Sequence, residues 1–295
     1  MRKTILAATI VAALAAPAAF AAHFADLYIL PVAARTTGLN NTPFRTDVSL
    51  QNFQAVPITV QFLFIQGGQG NSENITNLQS NALPNGTVTI PARGSAILTD
   101  VLDGFTGAGP NPFGAILVSS DRAFAVTSRA YTPLAAGGTY GQTVPPVRDF
   151  IENSLGKTNN AGATSYLPGL VQNAGFRTNL GFVAAAGSNG MTIEVILRSA
   201  AGADLGTRSF IIQPNTFVQT QFSVISIANV QYNAASAEYR ITNGDGAAAP
   251  YASVVDNVTG DAVTITGVFP PNDTSALSQS KGTSLFRRLI DQRSW

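Results

Sequence analysis

The side chains able to carry acid, base or metal chemistry are few. His23 is the sole histidine and there is no cysteine. A Ser-His-Asp or Cys-His system needs a titrating base beside its nucleophile, and one histidine near a terminus does not provide it. A copper brace needs a second histidine, and a zinc site of the His/Cys type needs more ligands than these. His23 is therefore read as an ordinary exposed residue, and no cofactor is expected.

Carboxylates alone could still hydrolyse a glycoside, provided two of them face one cleft at roughly 5–10 Å. Inside the patterned part of the chain the closely spaced acid pairs are Asp100/Asp103 and Asp256/Asp261. Both fall where turns are predicted, so both are read first as solvated turn acids. The run Asp256-Asn257-Val258-Thr259-Gly260-Asp261 has the oxygen-rich character of a calcium loop, which makes Asp256 and Asp261 weak calcium candidates. Its spacing matches no EF-hand, and Thr-Gly-Asp between two strands is a hairpin signal in which Gly260 supplies a positive φ.

Two arginines stand at matching places in the chain, Arg45 after Phe44 and Arg177 after Phe176. A sheltered guanidinium needs a carboxylate or carbonyl partner, because an unpaired buried charge is costly. The expected structural ion pairs are Arg177 with Asp256 and Asp47 with Arg129. The glycine-rich run Gly137-Gly138-Thr139-Tyr140-Gly141 follows Pro133 and precedes no helix, so it reads as a flexible hairpin loop and not as a phosphate cradle.

The elements that must hold these residues are strands. From Asp26 onward apolar and polar residues alternate over five to nine positions, cut by Gly, Asn, Asp or Pro, the period-two mark of half-buried strands. A first set spans 44–53, 58–65, 87–90, 95–99, 115–119 and 123–131; a second spans 176–183, 192–198, 207–212, 216–222, 238–242, 251–255 and 262–268. Only 100–105 and 222–228 suit a single helical turn. The loop Gly67–Asn85, polar and Asn-rich, reads as variable surface.

The two sets align. Leu30-Pro31 and Phe44-Arg45-Thr46-Asp47 match Leu167-Pro168 and Phe176-Arg177-Thr178-Asn179. Pro57-Ile58-Thr59-Val60 corresponds to Met191-Thr192-Ile193-Glu194, Gly86-Thr87 to Gly206-Thr207, and Val126-Thr127-Ser128 to Tyr251-Ala252-Ser253. A Pro pair closes each copy. The period is domain-sized, which predicts an all-β chain of two tandem antiparallel β-sandwich domains at 24–147 and 164–271, with an Asn- and Gly-rich linker at 148–163.

Arg2-Lys3, an uncharged apolar run to Ala16 and the small residues of Ala19-Phe20-Ala21 read as a signal peptide over 1–21. The apolar run is short of the ~20 residues that span a bilayer. At the other end, 272–295 is a basic tail in which Leu285, Phe286, Leu289 and Ile290 fall at helical spacing among Arg287, Arg288 and Arg293, a pattern for a short amphipathic helix.

At Phe176-Arg177-Thr178-Asn179-Leu180-Gly181 and at Tyr251 to Asp261 the chain resembles a tandem β-sandwich (Ig-like) repeat family of uncharacterised secreted and surface proteins of bacteria. The first copy, with Phe44-Arg45-Thr46-Asp47 and Ser128-Arg129-Ala130-Tyr131, resembles the more divergent partner in such arrangements. Where that family often places a Pro-containing turn after the first strand, this chain has Val183-Ala184-Ala185-Ala186. The resemblance implies the fold and says little about activity.

Charge narrows the partners. Charged residues are 11% of the chain against about 25% in ordinary soluble domains. Removing Arg2 and Lys3 from the 17 basic residues leaves 15 against 16 acidic ones, which is no footprint for nucleic acid. The expectation is a non-enzymatic exported protein, periplasmic, on the cell surface or extracellular. It would contact a surface, matrix, glycan or protein partner through loops or edges, and a membrane only through the tail. The alternatives are a periplasmic assembly scaffold resembling two-domain pilus chaperones, which work by donating a strand edge, and a carboxylate-based hydrolase.

Overall fold

The computed structural model describes residues 25–38, 42–68, 75–134, 136–148, 151–153 and 164–268. The expected signal peptide at 1–21, His23 and the tail at 272–295 lie outside the described residues. What is described is almost entirely strand, arranged in two antiparallel sheets. One 3-10 turn, Val224–Ser226, falls inside the stretch read as a helical turn; Ser223 caps it with its hydroxyl.

The first sheet has nine strands: β1 (Ala25–Ala34), β2 (Thr36–Thr37), β3 (Pro43–Gln51), β4 (Ile58–Gln66), β5 (Ile75–Asn77), β6 (Thr87–Ile90), β7 (Ser95–Leu98), β8 (Phe113–Pro133) and β9 (Thr139–Val144). The second has seven: β10 (Ile151–Asn153), β11 (Thr164–Gln172), β12 (Phe176–Ser199), β13 (Asp204–Ile212), β14 (Phe217–Ser223), β15 (Tyr232–Asp256) and β16 (Ala262–Thr266).

One pairing plan occurs in both. The first half of β8 lies between β1 and β4 and its second half between β3 and β9. Likewise the first half of β15 lies between β11 and β12, and its second half between β12 and β16. The strand β12 therefore does the work of β3 and β4 together, with β13 in the place of β6 and β14 in that of β7. The register corrects one part of the sequence alignment: Asp47 faces Arg129 and Asn179 faces Ser253, so Arg129, not Ser128, is the counterpart of Ser253. A one-residue slip matters because it exchanges the two faces of a strand.

Each sheet bends partway along and folds over its own core. In the second sheet the bend falls where Ala186 pairs with Gly246 and Met191 with Gly244. Gly244 has φ +80, and a Cβ there would stand 2.0 Å from the Gly190 carbonyl oxygen, so only glycine passes. In the first sheet the bend is made by the break between β3 and β4 and by an irregularity in β8 between Ser119 and Phe124. The buried Asn52 holds that break closed, donating from Nδ2 to the carbonyls of Val56 and Pro91 at 2.9 Å each.

Inward side chains of both halves of the first sheet meet in one core, among them Tyr28, Val48, Phe62, Phe64, Val118 and Phe124. Leu180, Phe182, Ile193, Val195, Tyr239 and Ala252 centre the equivalent core of the second. A third apolar cluster joins the sheets. Leu27, Ile29, Leu63, Ile65 and Leu117 from the first meet Val183, Ala185, Phe217, Ala247, Ala249 and Tyr251 from the second. These alternate along their strands with the inward residues, so the middle strands are buried on both faces. Continuous apolar runs such as Phe62-Leu63-Phe64-Ile65 and Ala247-Ala248-Ala249 suit that placement better than half-burial does.

Two other expectations change. Within 148–163, read as a linker, residues 151–153 form β10 against Gly246–Ala248. Within Gly67–Asn85, read as a surface loop, β5 pairs with β4, and Leu78 and Leu83 are fully buried.

Candidate functional site

The face of β12 and β15 that packs on the first sheet changes character along its length. Directly opposed residues share a face, and on this one Ala185/Ala247, Val183/Ala249 and Gly181/Tyr251 follow one another into Asn179/Ser253 and Arg177/Val255. The first three pairs belong to the apolar junction. The last two line a cleft of about 240 Å³ between the sheets. The opposite wall prolongs β1 past its irregularity, through Val32, Ala34 and Thr36. The sheets part where the facing surfaces turn from apolar to polar.

Aromatic rings and hydrogen-bonding groups share the lining. Phe44, Phe113, Tyr131 and Tyr140 come from the first sheet and Gln221 and Asp261 from the second. Arg177 is half-buried and donates from one terminal nitrogen to Asn257 Oδ1 at 2.8 Å. At the rim Thr264 donates its hydroxyl to Gln142 Oε1 at 2.8 Å, tying β16 to β9. Thr132 also lines the cleft; it is 4% exposed and its hydroxyl has no hydrogen-bond partner. A buried hydroxyl without a partner costs about 1–3 kcal/mol.

Behind the Tyr131 wall stands a charged cluster. Asp100 Oδ2 receives Arg45 Nε at 3.0 Å and Arg35 Nε at 3.4 Å, and Arg35 reaches on to Asp103 at 2.5 Å. Asp47 accepts the Asp100 N–H at 2.8 Å, and Asn81 donates to Asp103 at 2.8 Å. Asp100 Oδ1 is buried without a hydrogen bond. Burial pushes the Asp100 carboxyl above its ordinary value; Arg35 and Arg45 pull against it, while Asp103 and Asp47 add to it. The same setting raises the Tyr131 phenol, through burial first and then the neighbouring Asp47. A second network on the far layer of the second sheet joins Arg198 to Glu238 at 2.8 Å and to Asp204, and Arg240 to Glu194 at 2.6 Å.

The expected ion pairs are redistributed. Arg177 stands opposite Val255, whereas Asp256 stands opposite Phe176 and so projects from the other face. Arg177 accordingly takes Asn257 as its partner. Asp256 Oδ1 instead accepts the N–H groups of Val258 at 2.7 Å and Thr259 at 3.0 Å, closing the turn with Gly260 at φ +76. Those bonds, from Thr259 first and Val258 second, hold its carboxyl below the ordinary range. Asp47 and Arg129 are directly opposed, yet no ion pair joins them. Asp47 turns to the Asp100 amide, and Arg129 lies 5.2 Å over the Tyr131 ring and donates to Thr139 at 2.7 Å. Asp256 and Asp261, the calcium candidates, have diverged: one is folded into its own turn and the other lines the cleft. Among the described residues no group of three or more His, Cys, Asp or Glu is placed to hold a metal ion.

Asn179, Gln221, Tyr140 and Gln142 were not singled out from the sequence. Their signal was parity: Arg177 and Asn179 share a face with Gly181, Val183 and Ala185, so a polar stretch follows an apolar one on the same side of one strand. Comparison with protein-family models, with curated proteins and with solved structures found no match.

Proposed function

We propose that this chain is a non-enzymatic, exported binding protein. Its two halves act as tandem Ig-like β-sandwich units held rigidly together, and it contacts a surface, matrix or partner molecule through the cleft at their junction and the loops and edges around it. The observation that carries this reading is that both halves build the walls of one cleft, with aromatic rings, amides and one arginine directed at the same space. Such a mixture of apolar wall and a few convergent polar groups is what small-ligand sites present. The acids Asp100 and Asp103 are engaged by Arg35 and Arg45, which suits a structural role better than proton transfer. Export rests on the reading of 1–21 as a signal peptide.

The test is retention of the purified protein on glycan arrays, cell-wall preparations and immobilised matrix proteins. Wild type should be retained saturably, with no product released from the bound material. Ala262→Trp, which fills the cleft from β16, should abolish retention. Retention unchanged in that variant would remove the cleft from the function, and release of cleaved sugar would restore the hydrolase.

A further inference from the structure

We infer that the cleft accepts a single neutral pyranose ring, the terminal or branch residue of a glycan; this rests on the binding reading above and gives it a ligand class. Size comes first. About 240 Å³ is below the ~300–1,000 Å³ of pockets that enclose drug-sized molecules, and suits one ring. Polarity comes second. A pyranose presents hydroxyls that both donate and accept around its rim and C–H groups on its faces. The cleft offers amides at Asn179 and Gln221, which also do both, and ring surface at Phe44 and Tyr140 for the C–H groups. Charge comes third. Arg177 is balanced within the same lining by Asp261, which favours a neutral ligand over a phosphate or sulfate.

The experiment is a heteronuclear NMR titration of the full chain with methyl glucopyranoside, methyl galactopyranoside, methyl mannopyranoside and N-acetylglucosamine, alongside inorganic phosphate and a capped dipeptide. At least one pyranoside should shift amides of 177–181, 251–255 and 140–142 saturably. Asn179→Ala and the exposed Gln221→Ala should each weaken that binding about tenfold, the equivalent of ~1.4 kcal/mol. Thr59→Ala, remote from the cleft, should bind as wild type. If phosphate or the dipeptide shifts these amides and no pyranoside does up to roughly 50 mM, where millimolar affinities saturate, the ligand class is wrong and the binding reading stands. If pyranosides perturb only other regions, or both variants bind as wild type, the cleft is not a sugar site. Silence of every probe together with loss of retention on all arrays overturns both.

Discussion

Two aspartates show how the same side chain is used in opposite senses. Asp256 is held below its ordinary value of 3.8 by backbone donors, so it stabilises the fold above that range and the contribution is lost as pH falls through its lowered value. Asp100 is raised above 3.8 chiefly by burial, so its contribution is complete below 3.8 and declines as pH rises through the raised value. The isosteric amides separate the two. In urea unfolding across pH 2 to 6, wild type should gain on Asp256→Asn as pH rises, while Asp100→Asn should gain on wild type. Asn also tolerates the left-handed backbone at position 100, φ +44, so strain does not confuse the comparison. Gaps that move in the same direction for both would contradict the environments assigned to them.

At the scale of elements, the doubly buried middle strands decide the energetics. Leu63 is 1% exposed and faces the junction, one position from Phe62 in the inner core. Leu63→Ala should cost about 2–5 kcal/mol, as in any close-packed core. Thr59→Ala, on an exposed position of the same strand, should stay within about 0.5 kcal/mol. Equal small effects at both sites would mean that the junction is not packed in solution. The bend offers a second probe: Gly244→Ala should lose about 2–3 kcal/mol or more in the same unfolding measurement, since a side chain at φ +80 meets the Gly190 carbonyl. Most strands were legible in the sequence because alternation and turn residues are local properties. The second buried face was not, because the alternation of Phe44–Phe53 was extended to 58–65, where Phe62-Leu63-Phe64-Ile65 is apolar without interruption. The Arg177–Asp256 pairing failed for a related reason. Which face a side chain takes depends on the strand partner, and proximity in an alignment does not supply it.

For the whole molecule, the question is whether the two halves behave as one body. Interfaces between units of one chain are ordinarily modest and rather polar, which lets the units move. Here the junction is apolar at its centre, with Leu27, Ile29, Leu63 and Leu117 against Val183, Phe217 and Tyr251. It is locked by polar contacts at its edges: Gly68 N–H reaches the Gln219 carbonyl at 3.2 Å, and Thr264 bonds Gln142 at 2.8 Å across the cleft rim. Separating the halves would expose that surface to water, so neither is expected to survive long without the other. A cleft whose walls come from both halves keeps its shape only under that condition. Wild type should therefore unfold in a single transition, with coincident curves from far-ultraviolet and near-ultraviolet circular dichroism and a calorimetric enthalpy equal to the van't Hoff value. Val183→Asp puts a charge into the junction without touching either inner core, and it should split unfolding into two steps. It should also weaken retention on whatever material the wild type binds, although no residue of the cleft has changed. Two resolved transitions in the wild-type protein would mean that the halves are independent, and the shared cleft would lose its physical basis.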